Sequence, residues 1–262
     1  MEWVEVARLL LSRGIPICFC GAGRSMVPLI RDGDRVVISP DLDRLRVGDI
    51  VFLSTPERPM LIHRIIRVSP DGIVTKGDAA VDHDGLIKQD RVLGKVIAIR
   101  RNDRWIKLES FAFRLISLGI ACLSSLRCIF HKWLRRIGIR PYGSPEHYTK
   151  ASIQRAGSGV TVQISEDLLE RRFQRVDCLV IQSEEGFILV RRIGEVAELD
   201  EFYILNITGL KIWEGIDGTK TGRELSEHLF PGNIQATSDV RKLFSDLLEA
   251  GLIYEGVIPL TP

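Results

Sequence analysis

Apolar residues change their spacing several times along this chain, and each change marks an element or a boundary. Val4, Ala7, Leu10 and Leu11 recur at helical intervals, with Gly14 placed where a helix would stop. After Pro28 the rhythm shifts to short β segments separated by Gly, Pro and Asp turns. Strands are predicted over Arg35–Ile38, Asp49–Leu53, Met60–Val68, Gly72–Thr75 and Val92–Ile99. Closely spaced strands of this kind predict a compact, mostly β domain with a coiled or barrel-like sheet.

Residues 108–136 then follow a long helical pattern. Between Phe111 and Phe130 the only charges are Arg114 and Arg127, and a bilayer span needs about 20 mostly apolar residues. Basic residues stand on both sides (Arg100, Arg101, Arg104 and Lys107 before, Lys132, Arg135 and Arg136 after), so no charge asymmetry sets an orientation. The helix is therefore expected at a membrane surface or packed against protein, with a true span as the alternative. Residues 138–159 are rich in Gly, Pro, Ser and charge and read as linker.

Beyond it, Val176–Ile181 and Phe187–Val190 flank Ser183-Glu184-Glu185-Gly186 as a hairpin, and Phe202–Leu205 offers a third strand. Helices follow over Thr208–Ile216, from Thr221 (an N-cap, with Glu224 three residues on) to Leu229, and from Thr237 or Ser238 to Ala250. Gly218 and Gly251 sit at helix stops. The expected class is α+β in two domains: a mostly β domain over 1–107, an apolar helix over 108–136, a linker over 137–164, and over 165–262 a winged-helix-sized unit of one hairpin and three helices.

Composition narrows this picture little. With 262 residues, 45% hydrophobic and 27% charged, the chain is neither disordered nor fibrous, and a net charge of +2 gives no footprint for nucleic acid. Five cysteines, at 18, 20, 122, 128 and 178, are odd in number and lack metal-ligand spacing, so buried reduced thiols in a reducing cytosol are expected. Glu2, Glu5, Arg8 and Arg13 interrupt the N-terminal apolar residues, leaving no secretory h-region. A cytoplasmic location follows, with attachment to the cytoplasmic membrane through residues 111–130 as an added possibility.

One serine lies between a flexible glycine and a rigid proline, in Gly21-Ala22-Gly23-Arg24-Ser25-Met26-Val27-Pro28. A serine hydroxyl becomes a useful nucleophile when a base accepts its proton and a carboxylate orients that base. His63 on the Met60–Val68 strand and the aspartates 78, 82 and 84 supply those residue types. Taken singly they also fit a turn serine, a half-buried strand histidine and three solvated turn aspartates.

The combination is more specific. Gly23-Arg24-Ser25-Met26-Val27-Pro28, Gly33-Asp34, Gly48-Asp49-Ile50-Val51, His63-Arg64-Ile65, Thr75-Lys76-Gly77-Asp78 and Gly94-Lys95-Val96 occur in one order over residues 14–100. This run resembles the signal-peptidase-like serine peptidases, in the archaeal and endoplasmic-reticulum branch that uses histidine as base. The resemblance implies Ser25 as nucleophile, His63 as general base and backbone N–H groups around Ser25 as part of an oxyanion hole. It implies an orienting carboxylate from Asp84 or Asp82, with Asp78 shaping the loop. No cofactor or metal is implied. The chain departs from the pattern at Ala79-Ala80, where asparagines are common, and in having no anchor before the serine loop. The LexA-like repressors that share this fold use a lysine base and carry a DNA-binding domain in front, so a repressor is not expected.

Leu205-Asn206-Ile207-Thr208-Gly209-Leu210-Lys211-Ile212-Trp213-Glu214, Asp217-Gly218-Thr219-Lys220-Thr221 and Leu247–Ile253 resemble the PqqD-like peptide-binding domains, over 165–256. Those domains recognise leaders of ribosomally made, modified peptides. The implied mode is β-augmentation, a leader strand adding to the hairpin edge and leaning on the last helix. The implied contacts are Phe187 and Leu189 on the Phe187–Val190 strand or its neighbour, and Arg241 and Phe244 on the last helix. The two resemblances together imply a serine endopeptidase that processes a precursor peptide held by its leader, with peptide-modifying enzymes as further partners. The alternatives are a non-catalytic maturation chaperone on an idle peptidase fold, and a membrane signal peptidase.

Overall fold

The computed structural model describes residues 2–102, 104–110, 113–121 and 166–255. The chain is α+β and divides into two units, Met1–Ile153 with Glu195–Asp200, and Gln154–Gly194 with Glu201–Pro262.

The first unit opens with helix α1 (Trp3–Ser12), where the Glu5 carboxylate accepts the Glu2 N–H at 3.0 Å and closes the first turn. Its apolar stripe of Val6, Ala7, Leu10 and Leu11 is buried. The strands are β1 (Ile17–Cys20), β2 (Arg35–Ser39), β3 (Ile50–Leu53), β4 (Leu61–Ser69), β5 (Gly72–Lys76), β6 (Leu86–Ile87), β7 (Val92–Arg101) and β8 (Arg104–Lys107). Residues 113–121 form helix α2. The sheet runs β1-β2-β7-β3-β4-β5-β6, antiparallel throughout, with β8 folded back on β7. Residues 197 and 198 lie parallel to β1, as Ile17↔Ala197 and Cys18↔Glu198.

Register shifts at Val37/Ile38, Phe52/Leu53 and Ile65/Arg67 bend the strands and let the sheet coil. Inside the coil, Val51, Leu53, Ile65, Ile73, Ile87 and Val92 form one apolar cluster. Trp3 packs edge-on against Phe19 and Phe52 at 4.8 and 6.2 Å, which fastens α1 to the sheet.

The second unit has β9 (Phe173–Arg175), the hairpin β10 (Cys178–Ser183) and β11 (Gly186–Ile193), the end of β12 (Val196–Leu205), helices α3 (Ile207–Gly215), α4 (Gly222–Leu229) and α5 (Ile234–Glu249), and β13 (Ile253–Glu255). Asn206 caps α3 by accepting the Gly209 N–H at 2.7 Å. Thr221 and Glu224 form the expected capping box of α4. Phe173, Leu189, Trp213, Val240, Phe244 and Leu247 belong to its closed core.

Several expectations change. The last helix starts at Ile234 rather than Thr237 or Ser238, because Asn233 accepts the Ala236 N–H and serves as its cap. The strand expected over Phe202–Leu205 begins at Val196. Cys18 is buried as expected but Cys20, the last residue of β1, is exposed; Ile17, Cys18 and Phe19 are covered on both faces, so alternation does not sort this strand. Of the helix expected over 108–136, only 113–121 is described as helical; residues 122–136 and the linker at 137–164 lie outside the described residues. Among the described residues no helix is long and apolar enough to cross a membrane.

Candidate active site

Ser25 sits in the loop between β1 and β2, and ionic contacts hold that loop from its far side. Arg101, at the end of β7, donates from Nε to Asp34 Oδ1 at 2.8 Å, closes a second bond to Oδ2, and donates from Nη2 to the Leu29 carbonyl at 2.7 Å. Asp34 Oδ2 also accepts the Arg31 N–H at 2.7 Å, and Asp32 accepts the Gly23 N–H at 3.0 Å. The Arg101 fork holds the Asp34 carboxyl below the usual carboxylate range, against the opposing effect of burial.

His63 and Arg64 are neighbours on β4, both buried together with Ile65 at the middle of the strand. Each has its own aspartate. His63 Nδ1 lies 2.5 Å from Asp84 Oδ2, and the same oxygen accepts the Thr75 hydroxyl at 2.8 Å. The Asp84 N–H in turn donates to the Thr75 carbonyl at 2.9 Å, which ties the aspartate's backbone to β5. Arg58 reaches the other oxygen of Asp84 at 3.5 Å. Arg64 forks onto Asp78, Nε to Oδ1 at 2.7 Å and Nη2 to Oδ2 at 2.6 Å. Of the three aspartates singled out, then, Asp84 meets the imidazole, Asp78 neutralises the buried guanidinium, and Asp82 lies exposed on the loop between them.

The remaining imidazole nitrogen completes the arrangement. His63 Nε2 is buried and has no hydrogen-bond partner among the described residues. Gly77 brings Ser25 to it: a Cβ added there would lie 2.9 Å from His63 Nε2, 3.1 Å from the Ser25 Cβ and 2.7 Å from the Ser25 carbonyl oxygen. The position is closed to any side chain, because the Ser25 backbone, the Ser25 Cβ and the His63 ring all crowd it. The Ala79 N–H donates to the Ser25 carbonyl at 2.9 Å, stitching the loop after β5 to the loop that carries Ser25. An imidazole whose Nδ1–H is held by a carboxylate presents Nε2 as a proton acceptor. Beside a serine, that is the equipment for acyl transfer.

Thr75, Arg64, Gly77 and Asp34 stand within the sequence motifs but carry no role in that reading, and Arg101 lies outside them. For Arg64 a signal was available: an arginine inside the run Leu61-Ile62-His63-Arg64-Ile65-Ile66 is buried with the strand, and a buried guanidinium requires an anion.

In the second unit the residues named for peptide contact are placed unequally. Leu189 and Phe244 are shut in the core, with Phe173 edge-on to Phe244 at 5.4 Å, so neither side chain is available to a surface peptide. Phe187 is half-buried against that core, and Arg241 is half-buried with an unpartnered, buried Nε. Strand β11 is an inner strand, paired through Leu179↔Val190 and Ile181↔Ile188 to β10. It is β10 that stands at the edge, with Val180 exposed.

Residues 9–97 match the family model described as Peptidase S24-like, and residues 178–253 match the model of Coenzyme PQQ synthesis protein D (PqqD). No curated protein and no solved structure matches the chain. The peptidase-like match encloses Ser25, His63, Asp78, Asp82 and Asp84, and the second encloses the hairpin and all three helices of the second unit. The chain thus joins a peptidase-like domain to a PqqD-like domain.

Proposed function

We propose that the chain is a serine endopeptidase that processes a ribosomally made precursor peptide, and that the PqqD-like domain holds the precursor by its leader. The observation that carries the proteolytic half is the His63 ring, bound to Asp84 through Nδ1, with its Nε2, unpartnered among the described residues, and Ser25 both crowding the side-chain position of Gly77.

In this reading Ser25 Oγ attacks the scissile carbonyl carbon while its proton passes to His63 Nε2. Asp84 fixes the Nδ1–H tautomer and stabilises the imidazolium, and Thr75 fixes Asp84 in turn. The imidazolium then gives the proton to the leaving amine as the C–N bond breaks. A water deprotonated by His63 hydrolyses the acyl-enzyme and regenerates Ser25. Asp78 serves Arg64 and takes no part in proton transfer.

The precursor half rests on the PqqD-like match and on the edge position of β10. A leader segment adding to an edge strand gains backbone hydrogen bonds, and apolar positions such as Val180 supply selectivity. A tethered leader raises the effective concentration of the scissile bond at Ser25, which suits a site of low intrinsic selectivity.

The test uses the full chain and a precursor peptide encoded beside it, with cleavage followed by intact mass and binding by calorimetry. Wild type should cut at one position, and Ser25→Ala should bind the precursor with unchanged affinity and leave it whole. Cleavage by Ser25→Ala at the wild-type rate, or binding without cleavage by the wild type, would reject the protease and leave a peptide-binding chaperone.

A further inference from the structure

Arg64 spends only part of its donor set on Asp78. Its Nη1 donates to the Gly48 carbonyl at 3.0 Å and to the hydroxyl of Ser117, which itself donates to the same carbonyl at 2.7 Å. Ser117 is on α2, more than fifty residues beyond Arg64. The helix also lies directly on the turn that enters β3. A Cβ at Gly48, whose φ is +98°, would come within 3.3 Å of the Leu118 nitrogen and 3.4 Å of the Ser117 carbonyl carbon.

Helix α2 buries Ser117 and Ala121, one turn apart, and turns three large apolar side chains outward. Ser117 is 4% exposed, whereas its neighbours Ile116 and Leu118 are 59% and 44% exposed and Leu115 is 57%. At this contact the hydroxyl, not the large apolar side chains beside it, points inward, onto a buried cation. A buried arginine needs all its N–H groups satisfied, and Ser117 and the Gly48 carbonyl supply acceptors for the Nη1 that Asp78 does not meet.

We infer that Ser117 is a positioning residue for the proteolytic site, acting through Arg64 and Asp78; the inference rests on the proteolytic reading of Ser25 and His63. The path is short. Ser117 and Gly48 fix one end of the guanidinium, and Asp78 is fixed by the other. Asp78 lies between Gly77, where an added Cβ would meet both Ser25 and His63 Nε2, and Ala79, whose N–H holds the Ser25 carbonyl. Without the hydroxyl, the guanidinium turns to find another acceptor, Asp78 follows it, and the gap between serine and imidazole changes. Misplacements of about 1 Å near reacting atoms cost on the order of 100-fold in rate.

The experiment compares Ser117→Ala, Ser117→Thr and, as an exposed control on the same helix, Ile116→Ser, all in the full chain. In precursor cleavage, Ser117→Ala should lower kcat about tenfold with KM unchanged, Thr should restore most of it, and Ile116→Ser should leave it unchanged. Independently of turnover, the His63 Cε1–H resonance should move in Ser117→Ala and return in Ser117→Thr. If Ser117→Ala does not fold, Ser117→Cys, of similar size but a weak acceptor, takes its place. A loss no larger than that of Ile116→Ser, no rescue by Thr, or an unmoved His63 resonance would overturn the inference. If the wild type cuts no precursor, the proteolytic reading fails by that result, and the His63 resonance alone decides whether α2 positions the imidazole.

Discussion

The first unit buries His63, Arg64, Thr75, Lys76, Asp34, Ser54 and Ser117, whereas among the described residues of the second unit only Ser226 is a buried polar side chain. Burying polar and charged groups is costly unless each finds a partner, and paired charges inside a protein seldom add stability over apolar residues of the same volume. Their concentration in the unit that carries Ser25 therefore reflects a need for geometry: Asp84 holds a ring, Asp78 and Ser117 hold a guanidinium, and Arg101 holds the Ser25 loop. The second unit has a closed apolar core, and its strand β10 ends the sheet with Val180 exposed. In the first unit, single polar changes should remove function while leaving the fold. In the second, surface changes on β10 should alter affinity alone.

The sharpest way to break this contrast is Asp84→Asn. The substitution keeps size and one acceptor but lets the amide donate to Nδ1, which moves the proton of His63 to Nε2 and leaves no base for Ser25. The expected loss in kcat is roughly 10⁴-fold, as for the equivalent change in known serine triads, with the urea midpoint little changed. Cleavage within tenfold of wild type would mean that another carboxylate orients the ring. The same measurement on Asp82→Asn should show almost no effect, since Asp82 is exposed.

Much of this architecture is written in local pattern. The strands around His63 alternate or run apolar for long enough to be read, and α4 announces itself through Thr221 and Glu224. Strands of two to four residues, such as β6, β8 and the β9–β13 pair, carry too few positions for a period to emerge. The choice among Asp78, Asp82 and Asp84 depends on how the loop after β5 folds back to Thr75, and spacing alone does not encode that. Leu189 and Phe244 illustrate the opposite failure. Their apolar character fits a peptide pocket and a domain core equally, and the core claims both. Ser117 was invisible for a simpler reason: its partner lies on a strand whose sequence gives no hint of a distant helix.

A smaller effect should come from the second unit. Val180 is 43% exposed on the edge strand β10, opposite Leu189 in the hairpin register. Val180→Asp replaces apolar contact with a solvated charge and should weaken leader binding roughly tenfold, the worth of about 1.4 kcal/mol for one partly buried aliphatic side chain. Calorimetry with the leader segment alone reads that change. Cleavage at saturating precursor should be unaltered, because nothing at Ser25 has moved. A fall in kcat with affinity intact would show that the two units do not divide the work as their interiors suggest.

The smallest expected effect tests whether the polar interior of the first unit also contributes stability. Asp34 is buried, and the Arg101 fork, helped by the Arg31 N–H, holds its carboxyl below the usual range despite desolvation. The native state therefore binds the Asp34 proton less readily than the unfolded chain does. Its stabilising contribution is complete above the unfolded carboxylate value of about 3.9 and is lost as pH falls through the lower native value. Asp34→Asn keeps an acceptor for Arg101 but no charge, so it should cost about 1 kcal/mol near neutral pH. The gap between the two urea midpoints should stay constant from pH 7 to pH 5 and close as the solution is taken below pH 4. A gap that persists undiminished at pH 2.5 would assign the loss to packing around the serine loop and not to the ion pair. A gap absent at pH 7 would mean that the clamp positions Ser25 without adding stability, which is the limit toward which the rest of this buried polar network points.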